Sequence, residues 1–392
     1  MSSKSHASLL QELEAGLRGL EARSQLRSLV EIQGVNLCSN DYLGLSLHPG
    51  LKEAILWAVQ QAPRVGGTGS RLLSGHAAIW EEVEEEFAGF AGTEAALYFG
   101  SGYTANLGLL TSLLGKNDLV FSDALNHASL IDGIRLSGAR KVIYPHLDLN
   151  ALEAGLRAHV NERCRKLVVT ESVFSMDGDV APVRELCSLA ERYGATLILD
   201  EAHATAVHGP AGKGIAAQAG IASDVAAIVH TCGKALASAG AFVCGSRILK
   251  EHLINTARTF IFSTAMPPYM AAQIQAALRL SLGMDAQRGE LRRRSGAFRT
   301  ALQQQGWDTG GSLIQIVPMI VGENETALAA AEFLQSQGFA VRAIRPPTVA
   351  EGQARLRFSL TTTVSASELD RLEKSLGAWR ERSRASVVAS HA

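Results

Sequence analysis

The sequence predicts an α/β protein, with a mainly parallel seven-stranded sheet covered by helices and a smaller α/β domain after it. Three observations carry this expectation. Seven short apolar runs recur between residues 95 and 244: AALYF (95–99), DLVFS (118–122), KVIYP (141–145), KLVVT (166–170), ATLIL (195–199), VAAIV (225–229) and GAFVC (240–244). Helix-like segments such as VRELCSLAERYG (183–194) separate most of them, which is the spacing of parallel strands buried on both faces. Beyond Pro267–Pro268 the order changes, as a second, smaller unit requires.

Taken in order, residues 1–27 read as an amphipathic helix with Leu9, Leu10, Leu13, Leu17 and Leu20 on one side. This stretch lacks the continuous apolar centre of a signal peptide. The seven strand-like runs follow. A long helix is expected after Pro268 and another from about residue 290. Then come a strand IQIVPMIVG (314–322), a helix, the strands FAVRAI (339–344) and ARLRFSL (354–360), and a last helix. The closing SVVASHA is expected to fray. These patterns divide the chain into an amino-terminal helix and segment (1–50), a large domain (51–285) and a small α/β domain (286–392).

Composition narrows the function. The 392 residues include 37 basic and 38 acidic side chains, a formal net charge of −1, and 47% of them are hydrophobic. That is enough apolar material for a large core and excludes long disorder. The densest basic run is Arg292–Arg294, too little for a nucleic-acid-binding face. The five cysteines (38, 164, 187, 232 and 244) form no CxxC pair, so reduced, buried thiols are expected. No apolar stretch reaches the ~18 residues of a membrane span, and a cytoplasmic enzyme is the expectation.

Several motifs compete. FGSGYTANLGLL follows a strand and opens a helix; Gly100, Ser101 and Gly102 let backbone amides approach an anion at a helix N-terminus. The same residues read GxGxxA through Ala105, with Asp123 21 positions past Gly102, which also suits a dinucleotide. TLILDEAH imitates the magnesium-binding strand of a helicase. No GxxxxGK[ST] loop accompanies it, so the nucleotide-motor reading fails. No HExxH, Cys/His ligand spacing or GxSxG elbow is present, and His146 and His230 read as structural histidines. Lys234, in HTCGKALASAG, stands just past the carboxyl end of an apolar strand, where α/β sheets place their sites. Desolvated there, its amine could form a Schiff base with an aldehyde. Asp200, at another strand end, could partner a pyridine nitrogen. With the anion cradle, that is the arrangement for pyridoxal phosphate.

Longer motifs extend this reading. CSNDYLGLSLHP (38–49), GGTGSRLLSGH (66–76), DALNHASLIDG (123–133), ESVFSMDGDVAP (171–182), LDEAH (199–203), HTCGKA (230–235), FSTAMPP (262–268) and AIRPPTVAEGQARLRFSL (343–360) occur in order over most of the chain. In these segments the sequence resembles the α-oxoamine synthases, a family of fold-type I pyridoxal-phosphate enzymes, and most nearly their biotin-synthesis branch. The resemblance implies that Lys234 holds the cofactor aldehyde and later moves the substrate proton. It implies Asp200 at the ring nitrogen, His203 at the phenolic oxygen and His127 stacked on the ring, where it also meets substrate. Gly102 and Tyr103 would cradle the phosphate, and Ser175 and Thr231 would add hydrogen bonds. Ser263 and Thr264 would reach the phosphate across a homodimer. Arg357 would grip the amino-acid carboxylate, with Thr348 and Asn40 as further substrate contacts. Arg27, or alternatively Arg23, would meet the acyl chain's carboxylate.

The implied reaction is decarboxylative condensation of L-alanine with a pimeloyl thioester of acyl-carrier protein or coenzyme A. The competing readings are a sister activity (glycine with a short acyl-CoA, or serine with a long acyl chain) and, from another class, a dinucleotide-dependent oxidoreductase. One departure stands out: the family's histidine after RLRxxL is replaced by Val364 in LTTTVS.

Overall fold

The computed structural model describes residues 2–390, with side chains over 6–382. Twelve strands are present among the described residues: β1 (Val35–Asn36), β2 (Ala95–Phe99), β3 (Leu119–Asp123), β4 (Arg140–Tyr144), β5 (Lys166–Glu171), β6 (Thr196–Asp200), β7 (Ala227–Thr231), β8 (Ala241–Gly245), β9 (Ile316–Gly322), β10 (Phe339–Ala340), β11 (Ala343–Ile344) and β12 (Ala354–Ser359). The chain divides into two compact units. One holds residues 40–175 and 179–291, the other 1–39, 176–178 and 292–392.

The larger unit is built on a seven-stranded sheet of order β2-β8-β7-β6-β5-β3-β4. Only β8 runs antiparallel, to both β2 and β7; the other pairings are parallel. Each of the seven apolar runs is a strand, displaced from the expected bounds by two residues at most. Parallel strands with helices on both faces must be apolar throughout, and β2, β3, β5, β7 and β8 are buried along their whole length. One face buries Leu97, Val120, Val169, Ile198 and Val229 against Leu109 and Leu110 of the helix Gly102–Leu113. On the helix Ala78–Ala91, Phe87 stacks on Phe242 at 4.0 Å and Trp80 on Tyr98 at 4.3 Å. Such pairs add about 0.5–1.5 kcal/mol each beyond their buried area.

This topology puts the carboxyl ends of six strands on one edge. Register aligns Glu171 with Asp200, and Asp200 with Val229, two residues before the end of β7. The last residues of β3, β5, β6 and β7 are therefore Asp123, Glu171, Asp200 and Thr231, all polar and all buried. A row of buried polar groups at the carboxyl edge of a parallel sheet is where α/β folds place their chemistry.

In the smaller unit β11, β12 and β9 form an antiparallel sheet, and β1 pairs in parallel with β10. The expected single strand 339–344 is thus two short strands. Phe339–Ala340 bonds to the amino-terminal segment and Ala343–Ile344 to β12, so the chain changes partners at Val341–Arg342. The amino-terminal helix spans Ser2–Ala22, with Leu9, Leu10, Leu13 and Leu17 exposed. The last helix, Ala366–Ser390, continues into the tail expected to fray; residues 391–392 of that tail lie outside the described residues. All five cysteines are free thiols; Cys187, Cys232 and Cys244 are buried, whereas Cys38 and Cys164 are only half-buried, short of the expected burial. Among the described residues no helix is long and apolar enough to cross a membrane, and no group of His, Cys, Asp and Glu could hold a metal ion.

Candidate active site

The turn from β2 into the helix Gly102–Leu113 is closed by a reciprocal cap. Ser101 Oγ accepts from Thr104 N at 3.1 Å, and the Ser101 amide donates to Thr104 Oγ1 at 3.1 Å. The cap fixes the free amides of the first turn, the end of a helix that favours an anion. Glycine is required at 102 because a Cβ there would lie 2.7 Å from Thr231 Cγ2, at the end of β7. Tyr103, next in the chain, is partly exposed; its hydroxyl bonds Asp132, and its ring meets that of His127 edge-on at 6.4 Å.

Asp200 ends β6 as a buried carboxylate. Asn106 Nδ2 donates to its Oδ2 at 2.7 Å and the amide of Ala202 to its Oδ1 at 2.8 Å. Asn106 lies one turn into the helix that opens at Gly102, so the anion cradle and the carboxylate share a rigid element. The same amide nitrogen is 2.9 Å from Ser129 Oγ, which in turn lies 2.8 Å from His127 Nδ1. Because the Ser129 amide also donates to Nδ1, that nitrogen is an acceptor and the imidazole proton sits on Nε2. Burial lowers the His127 pKa, opposed by Asp200 and assisted by Lys234, so the ring is neutral near pH 7 while the residue stays open to solvent.

Lys234 follows β7, with Nζ 3.4 Å from Thr231 Oγ1; Thr231 itself donates to the carbonyl of Ala202 at 3.2 Å. His203 is buried two residues after the DE pair, with Nδ1 2.6 Å from Tyr42 Oη, and Tyr42 also bonds Asn40 Oδ1 at 3.1 Å. Asn40 therefore reaches the His203 side of the same unit. Ser175 is half-buried in the loop after β5, whereas Ser263 and Thr264 are exposed. The remaining substrate candidates belong to the smaller unit. There Arg27 Nη2 donates to Thr348 Oγ1 at 3.3 Å, while Arg23 turns to Gln25. Arg357 is buried on β12, and Val364 is buried with its carbonyl accepting from Arg294 at 2.6 Å.

Three residues of this constellation carry no motif in the sequence: Asn106, Tyr42 and Glu171. Glu171 lies beside Asp200 in register, fully buried with Oε1 unpartnered. Desolvation, and then the charge of Asp200, push its pKa well above the carboxylate range, so it is held as the neutral acid. Its position at the carboxyl end of an apolar strand is the one signal that could have marked it.

The geometry also disposes of the competing motifs. Asp123 Oδ1 accepts from Leu125 N and His146 Nδ1, both at 2.8 Å, and Oδ2 from Leu147 N at 2.9 Å. The carboxylate is buried and held by three protein donors, so it serves the protein's own turn rather than a ribose. Glu201 is turned inward to accept from the amide of Ala216 at 2.7 Å, so the DEAH segment presents no metal-binding pair. His230 is buried against Phe87 and Phe90, its pKa lowered to about 3 by desolvation; it is structural, as the sequence suggested.

These residues fit pyridoxal phosphate. The cradle at Gly102 suits a phosphate, the buried Asp200 carboxylate, held by the amides of Asn106 and Ala202, suits a protonated ring nitrogen, and an amine stands at Lys234 for the aldehyde. Comparison with known proteins agrees. Residues 32–376 match the family model for aminotransferase class I and II. An 8-amino-7-oxononanoate synthase of Geobacter sulfurreducens is 50% identical over 339 residues, 86% of each chain. One of Burkholderia cenocepacia is 43% identical over 98% of each chain. Among solved structures, serine palmitoyltransferase from S. paucimobilis with bound pyridoxal phosphate–myriocin aldimine superposes with a TM-score of 0.88 at 27% identity, covering 96% of this chain and 98% of its own. With the fold, the cofactor site and the relatives in agreement, the chain belongs to the aminotransferase class I and II family, as a pyridoxal-phosphate acyltransferase grouped with the 8-amino-7-oxononanoate synthases.

Proposed function

We propose that this enzyme condenses L-alanine with a pimeloyl thioester, releasing carbon dioxide and the carrier thiol and forming 8-amino-7-oxononanoate for biotin synthesis, as a cytoplasmic homodimer. The observation that carries the reading is one group, Lys234 and Thr231 joined through the backbone of Ala202 to Asp200, Asn106, Ser129 and His127, in a chain 43–50% identical to enzymes of that name. Bound there, pyridoxal phosphate supplies an electron sink for negative charge at the α-carbon of the amino acid.

The chain's own groups then have assigned work. The Gly102 and Tyr103 amides hold the phosphate at the helix N-terminus, with Ser175 and Thr231 beside the cofactor and Ser263 and Thr264 contributing from the partner subunit. Asp200, fixed by Asn106 and the Ala202 amide, would pair with the ring nitrogen. His127, neutral, would stack on the ring, and His203, oriented by Tyr42, would meet the phenolic oxygen. Lys234 would supply the amine that holds the cofactor's aldehyde and would serve as the base for the substrate's α-proton. Arg357 forms a two-pronged bond to the alanine carboxylate, Asn40 and Thr348 line the substrate, and Arg27 pairs with the distal carboxylate of the pimeloyl chain.

The test is turnover of purified enzyme with L-alanine, glycine or L-serine against pimeloyl, acetyl and palmitoyl thioesters, with products identified by mass. Alanine with pimeloyl should give the highest kcat/KM. A higher value for glycine or serine would move the enzyme to a sister reaction. Lys234→Ala should cut kcat by ~10²–10⁴-fold and leave the cofactor removable by dialysis; retained turnover would remove the lysine from the mechanism.

A further inference from the structure

The smaller unit has a groove of whose lining only Arg27 has a part in the reaction assigned above. This groove, of about 570 Å³, lies between the segment Leu26–Ser28, the helix Asn324–Ser336 and the chain from Val341 to Arg345. Arg27, Arg342 and Arg345 line it, against the one carboxylate Glu332, so its wall carries 3 − 1 = +2 charges in a protein of net charge −1. Among the described residues none of these three arginines makes an ion pair. Arg27 donates to Pro346 O and Thr348 Oγ1, Arg342 to Val30 O at 3.4 Å, and Arg345 to the carbonyls of Ser24 and Leu26. Arg345 has its pKa lowered by burial and then by the neighbouring charge of Arg27, as crowded, uncompensated cations require.

The adjoining chain is apolar and open to solvent. Leu29 is fully exposed, and Leu26, Val30 and Ile32 are 38–56% exposed. Folded proteins rarely leave four consecutive or near-consecutive large apolar residues in water without a partner. Cations beside apolar side chains fit one kind of occupant: an acidic, amphipathic helix, whose carboxylates meet the arginines and whose apolar edge covers Leu29 and Val30.

We propose that this arginine-lined groove and its Leu26–Ile32 rim dock the acidic acyl-carrier protein that delivers the thioester. The assignment rests on the acyl-transfer reading above and deepens it: charge complementarity selects the protein carrier, because coenzyme A has anions for the arginines but no apolar helix for the rim.

The test separates the two carriers and the two claims. Holo-acyl-carrier protein bearing no acyl chain is titrated against the full enzyme by surface plasmon resonance at low and high salt. KM is then measured for pimeloyl thioesters of the carrier protein and of coenzyme A. Arg342→Glu and, separately, Leu29→Ser should weaken carrier binding and raise KM for the carrier thioester about tenfold, leaving kcat and the coenzyme A thioester KM unchanged. Wild-type binding should weaken steeply with salt. Unchanged carrier binding in both variants would overturn the docking site, as would an equal rise in both KM values, which would indicate a coenzyme A site or a folding defect. Carrier binding that is intact and patch-dependent, with no turnover of either thioester, would instead overturn the reaction and keep the surface.

Discussion

At the scale of single residues, the site depends on an asparagine more than its motif suggests. Asn106 Nδ2 donates to Asp200 at 2.7 Å, and the same group reaches Ser129, which bonds Nδ1 of His127. Removing a hydrogen bond to a buried charge costs about 1.5–3 kcal/mol. Asn106→Ala should therefore weaken cofactor affinity by ~10–100-fold, read as the visible absorbance during a titration of apoenzyme with pyridoxal phosphate. An affinity equal to wild type would mean that the Ala202 amide alone sets Asp200. Glu171 follows a complementary logic. A second anion beside Asp200 would repel it in a site with little water, and the raised Glu171 pKa removes that charge. In the sequence Asp200 and Lys234 drew notice because they stand at or just past the carboxyl ends of apolar strands, and His203 because of the resemblance. Asn106 did not, since one polar residue inside the apolar helix GYTANLGLLTSL has no spacing to mark it.

At the scale of elements, the carboxyl edge of the sheet is held by an ion-paired histidine. His146, after β4, places Nδ1 2.8 Å from Asp123 Oδ1 at the end of β3 and Nε2 2.7 Å from Asp179 Oδ2 beyond β5. Burial alone would lower its pKa, but hydrogen bonds and charge from both carboxylates raise it from the usual 6.5 to about 10. A histidine whose folded pKa is raised stabilises fully below its unfolded value. That contribution is lost as the pH climbs from about 6.5 through about 10. The whole effect is on the order of 5 kcal/mol. Wild-type Tm should fall between pH 7 and pH 10, and His146→Asn should be less stable at pH 6 with a flatter decline. Parallel Tm profiles for the two proteins would show that the pair does not stay charged. The strands joined by this link were readable in the sequence because a parallel sheet buried on both faces demands unbroken apolar runs. The pair β10 and β11 was not: Phe339–Ile344 is one apolar run, and only the presence of two different partner strands divides it.

At the scale of the whole molecule, the proposed homodimer accounts for surface that a lone subunit leaves in water. In the larger unit Trp57, Val65, Leu73 and Phe262 are 64–81% exposed. Two of the segments involved are bonded neighbours, since the Ala265 amide donates to Gly69 O at 2.9 Å. Phe262 also precedes Ser263 and Thr264, which the resemblance implies would reach a phosphate across the subunit boundary. Composition and periodicity could not indicate this surface, because exposure is a property of the folded chain. Only the resemblance suggested a dimer. Burying a phenylalanine is worth about 1.5–3 kcal/mol, or ~10–100-fold in a dissociation constant. Phe262→Asp forfeits that burial and places a carboxylate beside a phosphate site. In sedimentation velocity the variant should therefore dissociate at protein concentrations where wild type stays dimeric. Its affinity for pyridoxal phosphate should drop in parallel as Ser263 and Thr264 lose their position. Dissociation with unchanged cofactor affinity would place the interface at Phe262 but complete each phosphate site within one subunit. A variant that remains dimeric would move the interface elsewhere.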